Sequence, residues 1–121
     1  MHILIVQSCC DLGQLWKRHL ERQGCAVSLV QGQDAAADVL RNRDVQAIVL
    51  DVEIAEGSAL AVADFASYRR PKARVIFVTR RSFFSDGSIF NLAANACAYL
   101  PAATPPEDLA VMVEYHATAA L

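Results

Sequence analysis

The chain has 121 residues, enough for one domain that buries its own core. Apolar residues make up 55% and charged residues 20%, the reverse of a disordered composition, and a net charge of −2 supplies no general attraction to nucleic acid or to an anionic membrane. No stretch approaches the roughly 20 apolar residues of a membrane span, and Met1–Val6 is too short for the core of a signal peptide, so a soluble cytoplasmic chain is expected.

The first segment, His2–Val6 (HILIV), is β-branched and apolar on both faces, as a buried parallel strand would be. Asp11 then precedes Leu12, Leu15, Trp16, His19 and Leu20 at helical spacing; Asp11 and Gln14 make a capping-box-like pair, and Gly24 stands where the helix would end. Ala26–Val30 reads as a second strand and Asp34–Arg41 as a short alanine-rich helix. Val45–Leu50 (VQAIVL) is the third strand and closes on Asp51. Gly57 and Ser58 open a third helix carrying Leu60, Ala63, Asp64 and Ser67, which ends before Pro71. Ala73–Thr79 (ARVIFVT) is the fourth strand, Ser88–Asn95 a fourth helix and Ala96–Leu100 a fifth strand. Thr104 as cap, Pro105 at the first helical position and Glu107 three after the cap start the last helix, with Leu109, Met112, Val113 and His116 on one face.

Strand and helix alternate five times with short connections and no linker or repeat. The pattern is that of a single domain over 1–121, an open parallel α/β sheet with helices on both faces. In such sheets ligands sit beyond the carboxyl ends of the strands. Those ends gather Gln7, Ser8, Cys9, Asp51, Thr79, Arg80 and the segment after Leu100, whereas Cys25 and Cys97 fall at the opposite edge. A carboxylate at the end of a buried strand is costly unless something pairs it or uses it, which makes Asp51 the first candidate.

The remaining signals are weaker. Four cysteines (Cys9, Cys10, Cys25, Cys97) lack the spacing of a zinc site or a disulfide scaffold and read as reduced thiols; the adjacent pair Cys9-Cys10 is kept as a candidate because it follows a strand end. The loop QSCCDLG has neither the P-loop nor the GxGxxG pattern, nor the Ser/Thr-rich loop that holds a flavin phosphate. Phe83, Phe84 and Phe90 cluster at the start of the fourth helix, as core or as a partner site. No histidine has a triad partner in view, so an enzyme is the least expected class.

HILIV with its loop Gln7–Asp11, AIVLDVEIAEGSAL around Asp51, VIFVT ending in Thr79 and ACAYL containing Tyr99 occur in order and at matching intervals. On these the chain resembles the receiver domains of two-component response regulators over essentially its whole length. The resemblance implies a doubly wound (βα)5 fold, the flavodoxin-like, CheY-like three-layer sandwich with a parallel five-stranded sheet in the order 2-1-3-4-5. It further implies that Asp51 holds the position that accepts a phosphoryl group from a histidine kinase, Thr79 the switch hydroxyl and Tyr99 the switch aromatic. Output would pass through the fourth helix, fifth strand and fifth helix, to a downstream effector or to a second copy in a homodimer.

Several positions depart from that pattern. The acidic pair that holds magnesium is replaced by Gln7 and Ser8, the lysine after the fifth strand by Ala102, the proline after it by Ala103 (with Pro101 nearby), and the loop proline after the phosphoacceptor by Ala55; Glu56-Gly57 keep the acid–glycine turn. Magnesium favours hard, anionic oxygen ligands, and two unit charges about 4 Å apart attract by roughly 4 kcal/mol at an effective dielectric of 20. Losing two carboxylates weakens metal binding by orders of magnitude, and Ala102 has no charge to offer a phosphorylated aspartate. Arg80 and Arg81 are candidate charge partners of Asp51; Glu53, two residues on, is the candidate second metal ligand; and Asp11 is better explained as a helix cap.

The expectation is therefore a degenerate receiver-type signalling module acting by protein contact, with weak or no magnesium-dependent phosphorylation and no cofactor. Its runner-up is a working phosphoacceptor with an altered magnesium site. From another class, the strand-end crevice would bind a small ligand or metal through Cys9, Cys10 and Asp51.

Overall fold

The apolar runs become strands β1 (His2–Val6), β2 (Ala26–Val30), β3 (Ala47–Asp51), β4 (Arg74–Thr79) and β5 (Ala96–Pro101) of one parallel sheet, ordered β2-β1-β3-β4-β5. Helices α1 (Cys10–Arg22), α2 (Gln33–Asn42), α3 (Ala59–Arg69) and α4 (Pro106–Ala119) complete the computed structural model, which describes residues 1–79 and 95–119. The expected order 2-1-3-4-5 is the observed one. Of the helix expected over Ser88–Asn95 only Asn95 is described, and Arg80, Arg81, Phe83, Phe84 and Phe90 lie outside the described residues.

Central strands of a parallel sheet are covered on both sides, so their side chains are apolar whichever way they point. All five residues of β3 are buried. Leu4, Val6, Ile48, Leu50, Val75 and Phe77 meet Ala36 and Leu40 of α2 and Ala59, Val62, Ala63 and Ala66 of α3. Ile3, Ile5, Val49, Ile76 and Val78 meet Trp16 and Leu20 of α1 and Leu109, Ala110, Val113 and Ala117 of α4. The sheet is thus the middle of three layers, and each large aliphatic side chain withdrawn from water stabilises it by about 1.5–3 kcal/mol. No described helix is long and apolar enough to cross a membrane.

The helix ends show where local signals succeed. Gly24 follows α1 with φ +88°; its N–H donates to Glu21 O at 3.0 Å and that of Cys25 to Leu20 O at 3.3 Å. That is the paired closure of a Schellman end, which favours glycine at the left-handed position. The start of α1 differs from expectation. The helix begins at Cys10 with Cys9 as the cap residue, and Asp11 lies inside the first turn, where its charge suits the helix dipole. Likewise Pro106, not Pro105, is the first helical residue of α4, with Leu109 N–H donating to Pro105 O at 3.0 Å. Consecutive prolines each have the φ of a first helical residue, so local preference did not choose between them.

One irregularity sets the geometry of β5. Val75 pairs with Ala96 but Ile76 pairs with Ala98, leaving Cys97 as an extra residue in the strand. Such a bulge resets the alternation of faces beyond it. Tyr99 accordingly lies opposite Phe77 and packs on the α2/α3 side, while Leu100 packs on the α1/α4 side. Cys97 lies within β5, near its amino end, inside the strand expected over Ala96–Leu100.

Candidate functional site

Among the described residues the buried polar or charged side chains are Gln7, Asp51 and Thr79, exposed by 1%, 2% and 2%. All three stand at the carboxyl edge of the sheet. Gln7 follows β1, Asp51 ends β3 and Thr79 ends β4, and these strands are neighbours. The pairing Val6↔Leu50 sets Gln7 and Asp51 in successive register, and Asp51↔Val78 places Thr79 one step beyond. Buried polar groups need hydrogen-bonding partners, so their concentration on one edge marks where the fold accepts a cost.

The backbone loop leaving β3 organises the carboxylate. Val52 N–H donates to Val78 O at 2.9 Å, keeping the chain on the sheet for one more residue. The N–H of Glu53 then donates to Asp51 Oδ1 at 2.9 Å, a local closure that an aspartate makes readily. Glu53 itself is half-buried. Thr79 O accepts from Ala102 N–H at 2.7 Å, so the position that the resemblance assigns to a lysine does lie against the end of β4. It brings a methyl group and a backbone N–H there.

Both positions of the missing acidic pair are occupied by hydrogen-bonded neutral side chains. Gln7 N–H donates to Val30 O at 3.0 Å, and its Oε1 accepts from Cys9 N–H at 3.0 Å. That side-chain carbonyl turns the chain into α1, whose cap residue makes no side-chain capping bond. Ser8, half-buried, accepts from Ala55 N–H at 2.7 Å through Oγ and donates to Gln31 O at 3.3 Å. The far end of the same loop is held by Gln33, whose N–H donates to Glu56 O at 3.1 Å and whose Oε1 accepts from Ser58 N–H at 2.9 Å. Gly57 between them has φ +87°, and a Cβ there would collide with Gln33 Cβ.

Magnesium requires several hard anionic oxygens. Among the described residues the edge supplies the Asp51 carboxylate, with Glu53 two residues on, and the neutral Gln7 and Ser8 engaged in bonds within the chain. This donor set does not fit the ion that the resemblance implies. Nor does the structure assemble Cys9, Cys10 and Asp51: the two thiols are exposed while the carboxylate is buried. Among the described residues no group of three or more histidine, cysteine or acidic side chains is gathered to hold a metal. Cys25 and Cys97 sit at the amino edge, where burial pushes both thiols up from their ordinary pKa. An open cleft of about 480 Å³ lies at that amino edge too, bordered by Asp44, Gln46, Arg69, Arg70, Pro71 and Lys72, away from Asp51.

Residue-by-residue reading missed Gln33 and the bridging role of Ser8. Neither has a sequence signal, because each partner is remote in the chain. The retained Glu56-Gly57 turn was the only hint that the loop is tightly held.

No family model matches the chain, and no curated protein does. Solved structures do. The chain is similar to a CheY-like response regulator receiver domain protein from Methanospirillum hungatei at 23% identity and a TM-score of 0.87, covering 98% of this chain and 94% of that one. The signal receiver domain of a LuxO repressor protein from Vibrio parahaemolyticus is 20% identical with a TM-score of 0.85, over 98% of this chain and 91% of that one. The response regulator TrrA from Thermotoga maritima, solved in complex with Mg(2+)-BeF, is 20% identical with a TM-score of 0.79, over 94% and 96%. At these identities the likeness is one of architecture, and it agrees with the strand order and three layers found above: the chain has the fold of the CheY-like response regulator receiver domains.

Proposed function

We propose that the chain is a receiver-type signalling module of a two-component system, in the cytoplasm, that acts by contact with a protein partner and undergoes little or no magnesium-dependent phosphorylation at Asp51. One observation carries this. Asp51 and Thr79 are kept buried on adjacent strand ends, as a phosphoacceptor and a switch hydroxyl would be, while the positions expected to hold the metal and the counter-charge carry Gln7, Ser8 and Ala102. A phosphorylated Asp51 would carry about −1.5 to −2 charge in place of the carboxylate's single one, with the neutral Gln7, Ser8 and Ala102 at those positions. Chemistry of that kind depends on fixed positive charge at the transferring group. The reading assigns the chain no enzymatic step and no resident cofactor.

The partner is a histidine kinase or a downstream effector. A homodimer through the face containing β5 and α4 is the second form of the same reading, favoured by Val111 and Tyr115 of α4, which are 61% and 72% exposed. With Glu114 and Thr118 they border an open hollow of about 530 Å³. Tyr99 would be the residue that couples this face to the site.

The test is incubation with magnesium and acetyl phosphate, read by intact mass and by the Asp51→Asn variant. The unmodified mass should persist. Stoichiometric gain of one phosphoryl group, absent in Asp51→Asn, would establish the working phosphoacceptor instead.

A further inference from the structure

We propose that Ser8 is a positioning residue, a metal-free clamp that fixes the loop leaving Asp51. The inference rests on the reading of the site as one that works without magnesium. Ser8 stands where the resemblance implies an acid that would link the first loop to the phosphoacceptor through an ion. Here the hydroxyl makes the link directly. Oγ accepts from Ala55 N–H at 2.7 Å, 47 positions away in sequence, and donates to Gln31 O at 3.3 Å, 23 positions away. One side chain thereby ties the loop after β1 to the loops after β2 and β3.

The chemistry selects a hydroxyl. It accepts from an N–H and donates to a carbonyl through the same atom, which among small side chains only a thiol also does, and weakly. A carboxylate at this position would accept from Ala55 N–H but repel Gln31 O, so a clamp of this kind and a metal-holding acid exclude each other at residue 8. The clamp acts on the middle of a loop whose two ends are already fixed. Glu53 N–H is bonded to Asp51 Oδ1 at one end, and Ser58 N–H to Gln33 Oε1 at the other. A parallel bridge between Gly32 and Glu56 reinforces the second. With Ala55 held as well, the segment that orients the Asp51 carboxylate keeps one conformation whether or not a divalent cation is present.

Amide hydrogen exchange on the whole chain, resolved by residue, tests this. In the wild type the Ala55 amide should be protected in EDTA and unchanged by added magnesium. Ser8→Ala should speed its exchange roughly three- to tenfold, the worth of one ordinary hydrogen bond, and leave the Ala73 amide at the other edge as it was. Ser8→Thr, which keeps the hydroxyl, should retain the protection, and unchanged exchange at Ile48 and Ile76 verifies that each variant is folded. Equal Ala55 exchange in wild type and Ser8→Ala, or protection that appears only with magnesium, overturns the clamp. Its failure is separable from that of the functional reading. Phosphorylation of the wild type with Ala55 still dependent on Ser8 defeats the unphosphorylated module and leaves the clamp standing, whereas an unmodified Asp51 with Ala55 indifferent to Ser8 defeats the clamp alone.

Discussion

The two edges of the sheet use polar groups in opposite ways. At the amino edge they end on backbone. His2 N–H donates to Gln46 Oε1 at 2.6 Å, and Arg74 N–H to Gln46 O at 3.0 Å. Arg70 Nε donates to Leu40 O at 3.0 Å and Arg69 to Arg41 O at 3.1 Å, so the end of α3 satisfies the last carbonyls of α2. These are stabilising arrangements with the charged groups left at the surface. At the carboxyl edge three polar side chains among the described residues are buried outright, one of them a carboxylate, and a loop is tied down around it from both neighbours. The same sheet thus carries its stability at one end and its costly groups at the other, which is why the carboxyl edge is read as the site.

The largest effect that would sharpen this contrast comes from restoring charge to the carboxyl edge. The double substitution Gln7→Asp/Ser8→Asp should raise magnesium affinity by about a hundredfold or more, since even a part of the roughly 4 kcal/mol available to each close charge pair suffices. Calorimetric titration reads it, and an unchanged affinity would mean that the edge lacks room for an ion whatever its charge. Next in size is a matched pair of glycines. Gly24 and Gly57 share φ near +88° and +87°, but a Cβ at Gly24 meets nothing within 4 Å while one at Gly57 meets Gln33. Gly24→Ala should cost about 1 kcal/mol and Gly57→Ala about 3 kcal/mol, strain and overlap together, by urea denaturation. Equal losses would break the claim that the Asp51 loop is the more tightly built.

Removing an amino-edge contact should cost less. Arg70→Ala strips the Leu40 carbonyl of its donor and should lower stability by about 1 kcal/mol without altering exchange at Ala55. The smallest expected effect is one of pH. Burial, then Arg43 and the N-terminal ammonium, holds His2 below its ordinary pKa of 6.5; burial, then Arg74, does the same for His116. Neutral imidazole is favoured in the folded chain, so this part of the stability is present above about 6.5 and is lost as pH falls from there towards the depressed folded values. Replacing both with Asn should flatten the fall in Tm below pH 6.5 by about a degree, measured by thermal denaturation across that range.

How much could be read from the chain depended on the range of the interaction. Strands β1 and β2 have the bounds that hydrophobic runs assigned, and the placement of Asp51 and Thr79 at strand ends followed from where apolar runs stop. Gly24 was legible because a left-handed helix end asks for glycine locally. Asp11 was misread as a cap because its type suits the position, yet Gln7 Oε1 bonds Cys9 N–H and starts the helix earlier. Trp16 counted as core and is core, but its indole N–H has no hydrogen-bond partner among the described residues, which no spacing argument would have shown.

The alternation of strand and helix, the buried carboxylate at the end of β3 and the absence of acids at positions 7 and 8 were legible in the chain alone. Each is fixed by residue type and short-range periodicity. The tertiary structure decided what those neutral residues do and which way Tyr99 faces. The Ser8–Ala55 bond joins groups 47 positions apart, and the bulge at Cys97 shifts the register of β5 by one residue, so both depend on how the strands align in space, information that neither segment holds alone.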